Sequence, residues 1–74
     1  MLEKKSLALS GHRTSLALEA VFWAALGNIA REENKSLARL IAEIDQTRSK
    51  SEVRSGLASA VRVWLFMRYA DVAA

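Results

Sequence analysis

The sequence predicts a mostly α-helical chain in which one short N-terminal β-strand precedes three helices. Apolar and small or polar residues alternate over residues 13–19, and this is the period of a strand. From Ala20 onward the apolar spacing becomes helical. Hydrophobic residues make up 51% of the 74 residues. So small a chain cannot easily cover that much apolar surface, which favours a homodimer.

The predicted strand has two unlike faces. One face holds Thr14, Leu16 and Leu18, and the other holds Arg13, Ser15 and Ala17. A single strand is not stable in water and needs a second strand to pair with. In so short a chain we expect a second copy of the molecule to supply it, which would give an intermolecular two-stranded antiparallel ribbon.

A sequence repeat offers an alternative partner for this strand. Ser6-Leu7-Ala8-Leu9 recurs as Ser15-Leu16-Ala17-Leu18, and the turn-forming pair Ser10-Gly11 lies between the two copies. This pattern is also typical of a hairpin within one chain. The residues alone leave both pairings open.

Two helices are predicted after the strand. The first runs from about Glu19 to Glu33, and Asn34 follows where a left-handed residue can end a helix. Ser36 is a plausible N-cap for the second helix. The apolar stripes of the two helices comprise Phe22, Leu26, Ile29 and Ala30 in the first and Leu37, Leu40, Ile41 and Ile44 in the second.

A third helix is predicted to start between Ser51 and Gly56 and to continue to about Ala70. It is apolar nearly all round, a pattern typical of a helix buried on two sides. We therefore divide the chain into a basic N-terminal arm (residues 1–10), a core (11–46), a linker (47–55) and a C-terminal helix that packs on the dimer (56–74).

The charge pattern suits a polyanionic partner. The net charge is +3, and basic segments at both ends flank an acidic middle over residues 19–47. In a dimer the two basic N-terminal segments would lie together and would favour duplex DNA. The plainer explanation is a soluble surface with ordinary lysines.

Several classes of protein are disfavoured by what the sequence lacks. Without cysteine and with one histidine, the chain offers no disulfide and no cysteine-histidine metal site. It has no nucleophile motif, glycine-rich phosphate loop or acidic pair, so we expect neither an enzyme nor a cofactor. No apolar run is long enough to cross a bilayer, and the N-terminal residues do not have the pattern of a signal peptide. We therefore expect a cytoplasmic protein.

A set of short motifs resembles the ribbon-helix-helix family over about residues 11–69. The motifs are Gly11-His12-Arg13-Thr14-Ser15, Leu18-Glu19, Phe22-Trp23, Leu26, Ile29-Ala30, Leu40-Ile41, Glu43-Ile44-Asp45 and Arg48. Residues 57–62 also resemble a bacterial subgroup of this family that appends a third helix. The resemblance implies an intertwined homodimer whose intermolecular ribbon enters the major groove of DNA, as in the Arc and MetJ repressors.

The resemblance also implies site residues. Arg13, Ser15 and Ala17 would face base edges, although Ala17 could touch only a thymine methyl group. Phosphates would be held at the start of the second helix by Lys35, Ser36 and Leu37 and by the arm residues Lys4 and Lys5. The expected dimer core consists of Leu16, Leu18, Phe22, Leu26, Ile29, Leu40, Ile41, Ile44 and Trp64.

The function implied is a homodimeric, sequence-specific DNA-binding transcription regulator, most simply a repressor. The alternative is a protein-interaction module or antitoxin-like adaptor that keeps the fold and reads DNA weakly or not at all. Its protein partner would bind through the apolar C-terminal helix.

Overall fold

Two strands precede three helices in the computed structural model, which describes residues 1–9, 11–49 and 56–73, without the side chains of residues 12, 48, 49 and 71–73. The elements are β1 (Leu2–Leu9), β2 (His12–Glu19), α1 (Ala20–Glu32), α2 (Leu37–Ser49) and α3 (Leu57–Ala73). The predicted fold class, a mostly helical chain with a two-stranded antiparallel sheet, is confirmed.

The sheet differs from the prediction in its source, because one chain supplies both strands. Residues 2–9, expected to be an arm, form β1 and pair with β2 from Leu2 opposite Glu19 to Leu9 opposite His12. Gly11 takes a φ of 86° in the turn, a conformation that suits glycine. The alternative suggested by the repeat is therefore the observed one. The ribbon between two chains stays a prediction.

The core lies between one face of this hairpin and the three helices. Its buried side chains are Leu9, Leu16, Leu18, Trp23, Leu26, Ile29, Ala30, Leu40, Ile41, Ile44, Val61 and Leu65. Most of the residues expected in a dimer core thus build the core of a single chain, while Phe22 and Trp64 are half-buried beside it. Their part in a dimer stays a prediction.

Local hydrogen bonds determine where α1 ends and α2 begins. Asn34 has a φ of 55°, its amide donates to the Arg31 carbonyl, and the Lys35 amide donates to the Ala30 carbonyl. This is the Schellman arrangement, in which a left-handed residue closes the helix. The Ser36 hydroxyl oxygen then accepts the amide of Arg39 at 3.1 Å, as an N-cap does.

The C-terminal half departs modestly from the predicted boundaries. α2 continues to Ser49 and so includes the start of the expected linker, whose residues 50–55 lie outside the described part of the chain. α3 begins at Leu57, just after the predicted interval, and passes Ala70 to end at Ala73. No helix within the described residues is long and apolar enough to cross a membrane.

Burial of α3 is one-sided in a single chain. Val61 and Leu65 are buried against the core, whereas Val63, Phe66 and Met67 are exposed. The expectation of burial on two sides is therefore not met by the chain alone.

Candidate nucleic-acid interface

The hairpin presents one apolar face to the helices and one small, polar and basic face outward. Residues directly opposite each other in an antiparallel pair share a face. The outward pairs are Leu2 with Glu19, Lys4 with Ala17, Ser6 with Ser15, and Ala8 with Arg13. All of these side chains are exposed except Ala17 and Glu19, which are half-buried.

The predicted alternation along β2 is confirmed. Leu16 and Leu18 are buried and Thr14 is half-buried on the inward face, whereas Arg13 and Ser15 are exposed on the other. The structure therefore keeps the three proposed base-contacting residues together on one surface. It adds to them a second row, from β1, that the sequence analysis did not assign to base contact. The signal for this row was the repeated Ser-Leu-Ala-Leu motif.

The two lysines of the expected basic arm lie on opposite faces of β1. Lys5 is opposite Leu16, and its Nζ lies 5.1 Å from the centroid of the Trp23 ring, within the range of a cation–π contact. The same indole donates its N–H to the Glu3 carbonyl at 2.8 Å, which ties β1 to α1. Among the described side chains Lys4 makes no cation–π contact, and it belongs to the outward face. Of the two lysines predicted to contact phosphate, only Lys4 therefore lies on the surface that carries Arg13.

The outward face also carries positive charge that no described side chain neutralises. Elsewhere Lys35, Arg39, Arg62 and Arg68 form ion pairs with glutamates. Among the described side chains, neither Lys4 nor Arg13 forms an ion pair or a hydrogen bond. Unpaired, solvated cations next to small side chains are what a surface for a polyanion requires.

One acidic residue, Glu19, ends β2 on the same side as Ala17, and α3 neutralises its charge. Arg62 donates to Oε1 of Glu19 through Nη2 at 2.9 Å and through Nε at 3.2 Å. The hydrogen bond from Arg62 lowers the pKa of the Glu19 carboxyl and so keeps it ionised. The ion pair offsets a negative charge at the margin of the outward face.

The N-terminus of α2, the expected phosphate clamp, is already engaged with partners from its own chain. Lys35 Nζ lies 2.8 Å from Oε1 of Glu43 and 3.0 Å from Oε1 of Glu33. The hydrogen bonds to Glu43 and then Glu33 raise the pKa of Lys35. Two carboxylates therefore offset this lysine's charge, and Ser36 is occupied as the N-cap. Phosphate binding by Lys35, Ser36 and Leu37 stays a prediction.

The comparison with known families identifies the class of protein. A family model described as a ribbon-helix-helix domain matches residues 2–69, so the chain belongs to the ribbon-helix-helix family. The match starts at β1, and the first strand of the hairpin is therefore inside the family's domain. Members of the family are generally DNA-binding transcription regulators, typically homodimeric and not enzymes. Neither a curated protein nor a solved structure gives a match.

Proposed function

We propose that this chain is a homodimeric, sequence-specific DNA-binding transcription regulator that inserts a β-ribbon into the major groove and acts as a repressor. The observation that carries the proposal is the outward face of the hairpin, where exposed Arg13 and Ser15 lie beside Ala17. Arginine binds guanine through two hydrogen bonds, serine donates or accepts, and alanine contacts a thymine methyl group.

The shape of this face supports the same conclusion. The major groove is about 12 Å wide and admits a two-stranded ribbon. Serine and alanine occupy four of the eight outward positions of β1 and β2, so the backbone there could approach the base edges closely. The longer Arg13 side chain has no partner among the described side chains to give up on binding.

A second copy of the chain is the expected partner in the dimer. An apolar groove of about 580 Å³ lies between α1 and α3, and Val21, Phe66 and Tyr69 are exposed along it. Aromatic side chains such as Phe66 and Tyr69 are enriched in the cores of interfaces between proteins. Members of the family are typically homodimeric, so we assign this surface to contact between two copies.

The test is selection of binding sites from a random pool of duplex DNA at physiological salt. The wild-type chain is compared with Arg13→Ala and with Arg31→Ala, a control that removes the same charge from an exposed position at the end of α1. We expect a short palindromic motif with wild type and Arg31→Ala, and its loss with Arg13→Ala. Absence of any enriched motif with wild type would refute sequence-specific binding.

The second candidate function is a protein-interaction module or antitoxin-like adaptor that retains the fold. The observation that favours it is the same exposed groove, because an apolar surface of this kind also suits an apolar helix of another protein. Salt separates the two functions. DNA binding weakens steeply as salt rises, whereas binding through an apolar surface does not.

A further inference from the structure

The hairpin has an approximate two-fold symmetry of its own. Ser6 lies directly opposite Ser15, and half a turn about an axis through this pair, perpendicular to the sheet, exchanges the two strands. Under that rotation each residue of β1 maps onto the residue nine positions later in β2. The outward residues then correspond as Lys4 with Arg13, Ser6 with Ser15, and Ala8 with Ala17.

The inward face follows the same symmetry. Leu7 corresponds to Leu16 and Leu9 to Leu18, and of these four side chains all are buried except Leu7, which is half-buried. The repeated motif is therefore realised in three dimensions as two equivalent strands that share one core. A single chain thus contains the kind of two-fold ribbon that the sequence analysis expected from two chains.

We propose that β1 supplies the second half of the DNA-contacting surface, in which Lys4 has the role of Arg13 and Ser6 that of Ser15. This inference rests on the proposed function and deepens it. Each chain then presents two equivalent rows of contact residues on one face of its hairpin.

The positions of the cations define the DNA segment that would fit. Each cation stands opposite an alanine, Lys4 opposite Ala17 and Arg13 opposite Ala8, so neither is crowded by its cross-strand neighbour. The two cationic pairs are four residues apart along the strands, about 13 Å at ~3.3 Å per residue. That distance corresponds to about four base pairs at ~3.4 Å per step.

The chemistry of the face specifies what it would bind within those base pairs. Lysine, like arginine, can bind the O6 and N7 atoms of guanine. The two cations lie on different strands at opposite ends of the ribbon. The ligand is therefore a short duplex segment with a guanine near each end, one on each DNA strand, around a centre read by the two serines.

The decisive comparison uses the neighbouring lysines Lys4 and Lys5. Both substitutions to alanine remove one positive charge, but Lys4 lies on the outward face and Lys5 lies over Trp23 on the other side. Affinity for the duplex selected by the wild-type chain is measured by fluorescence anisotropy over a series of salt concentrations. Thermal unfolding followed by circular dichroism verifies that each variant is folded.

We expect Lys4→Ala to raise the Kd roughly tenfold, an effect similar to that of Arg13→Ala, and to relax the preference for guanine at the position that Lys4 contacts. Lys4→Arg should retain the wild-type affinity, and Lys5→Ala should change the Kd by less than about twofold. If Lys4→Ala and Lys5→Ala have equal effects while Arg13→Ala abolishes binding, the role of β1 is refuted and the proposed function stands. If the wild-type chain binds no DNA, both are refuted.

Discussion

The guanidinium of Arg62 in α3 donates two hydrogen bonds, from Nε and Nη2, to one carboxylate oxygen of Glu19, at 3.2 and 2.9 Å. Glu19 is both the last residue of β2 and the N-cap of α1. The same guanidinium lies 5.8 Å from the centroid of the Phe22 ring. This ion pair therefore attaches the C-terminal helix to the point where the hairpin joins the helices, at the margin of the proposed DNA-contacting face.

Removing Arg62 is expected to weaken DNA binding although Arg62 is not on the outward face. In Arg62→Ala the carboxylate of Glu19 loses its partner and exposes a negative charge near the phosphates. We expect the Kd for the selected duplex to rise by about threefold at low salt and by less at high salt, because screening shortens the range of the repulsion. Arg68→Ala, which removes one of the two cations paired with Glu33, is the matched control.

The double variant Glu19→Gln with Arg62→Ala tests the cause of this effect. It removes the unpaired negative charge, so DNA affinity should return to near the wild-type value. Persistent weakening in the double variant would show that Arg62 acts through the structure of the junction and not through charge.

Acid is expected to destabilise the chain by breaking its ion pairs. The pKa values of Glu19, Glu33 and Glu43 lie below their ordinary value, chiefly because Arg62 hydrogen-bonds Glu19 and Lys35 hydrogen-bonds the other two. The unfolded chain therefore binds more protons than the folded chain at mildly acidic pH. Their stabilisation is present above pH 4.5, the ordinary carboxyl value, and is lost as the pH falls through the lower folded-state values.

The measurement is the midpoint of thermal unfolding at several pH values between neutral and strongly acidic. The midpoint should be nearly constant down to pH 4.5 and should then fall. Glu43→Gln should reduce this fall, whereas Glu32→Gln, at an exposed position with no ion pair among the described side chains, should not. A midpoint in Glu43→Gln that falls as steeply as in wild type would contradict the assignment.

Because Asn34 has a left-handed conformation, substitution by alanine should destabilise the chain at Asn34 and stabilise it at Asn28. Asn34→Ala should lower the free energy of unfolding by about 1 kcal/mol, because alanine is strained at a φ of 55°. Asn34→Gly should be neutral or stabilising. Asn28→Ala, at an exposed position inside α1, should stabilise by up to about 0.5 kcal/mol because alanine favours helix. Urea unfolding of the three variants provides the comparison.

We predict that a single charge placed in the groove between α1 and α3 will separate the two chains of the proposed dimer. Phe66 is 70% exposed and lines the groove, so Phe66→Asp should yield a folded monomer in analytical ultracentrifugation. Met67→Asp changes a residue that is 62% exposed and outside the groove, and it should leave the dimer intact. A folded, dimeric Phe66→Asp variant would exclude this surface as the interface.

Leu16 is not a useful position for that experiment. It lies on the strand face that the sequence analysis assigned to the dimer, but it is 2% exposed within one chain. An aspartate there would place a charge in the core of the folded monomer. Loss of the dimer would then not be distinguishable from loss of the fold.

The elements themselves could be predicted because they depend on local physics. The two-residue period predicted the apolar face of β2, and the helical spacing predicted α1 to within a residue at each end. The residue types of Asn34 and Ser36 indicated the end of α1 and the start of α2. Each of these features depends on contacts between residues a few positions apart. The family resemblance, confirmed over residues 2–69, rests on the same local patterns.

The tertiary structure alone decided how those elements and their charges combine. A repeat with a turn signal is compatible with strand pairing within a chain or between chains. In the hairpin, Leu9 of β1 is buried in the same core as Leu16 and Leu18 of β2. Lys4 and Lys5 are equivalent in a charge count, yet the register of β1 places them on opposite faces. The partners of Lys35 and Arg62 were not foreseen, because ion pairs with Glu43 and Glu19 join residues 8 and 43 positions apart. Such contacts depend on the relative positions of whole elements, which periodicity and residue type do not specify.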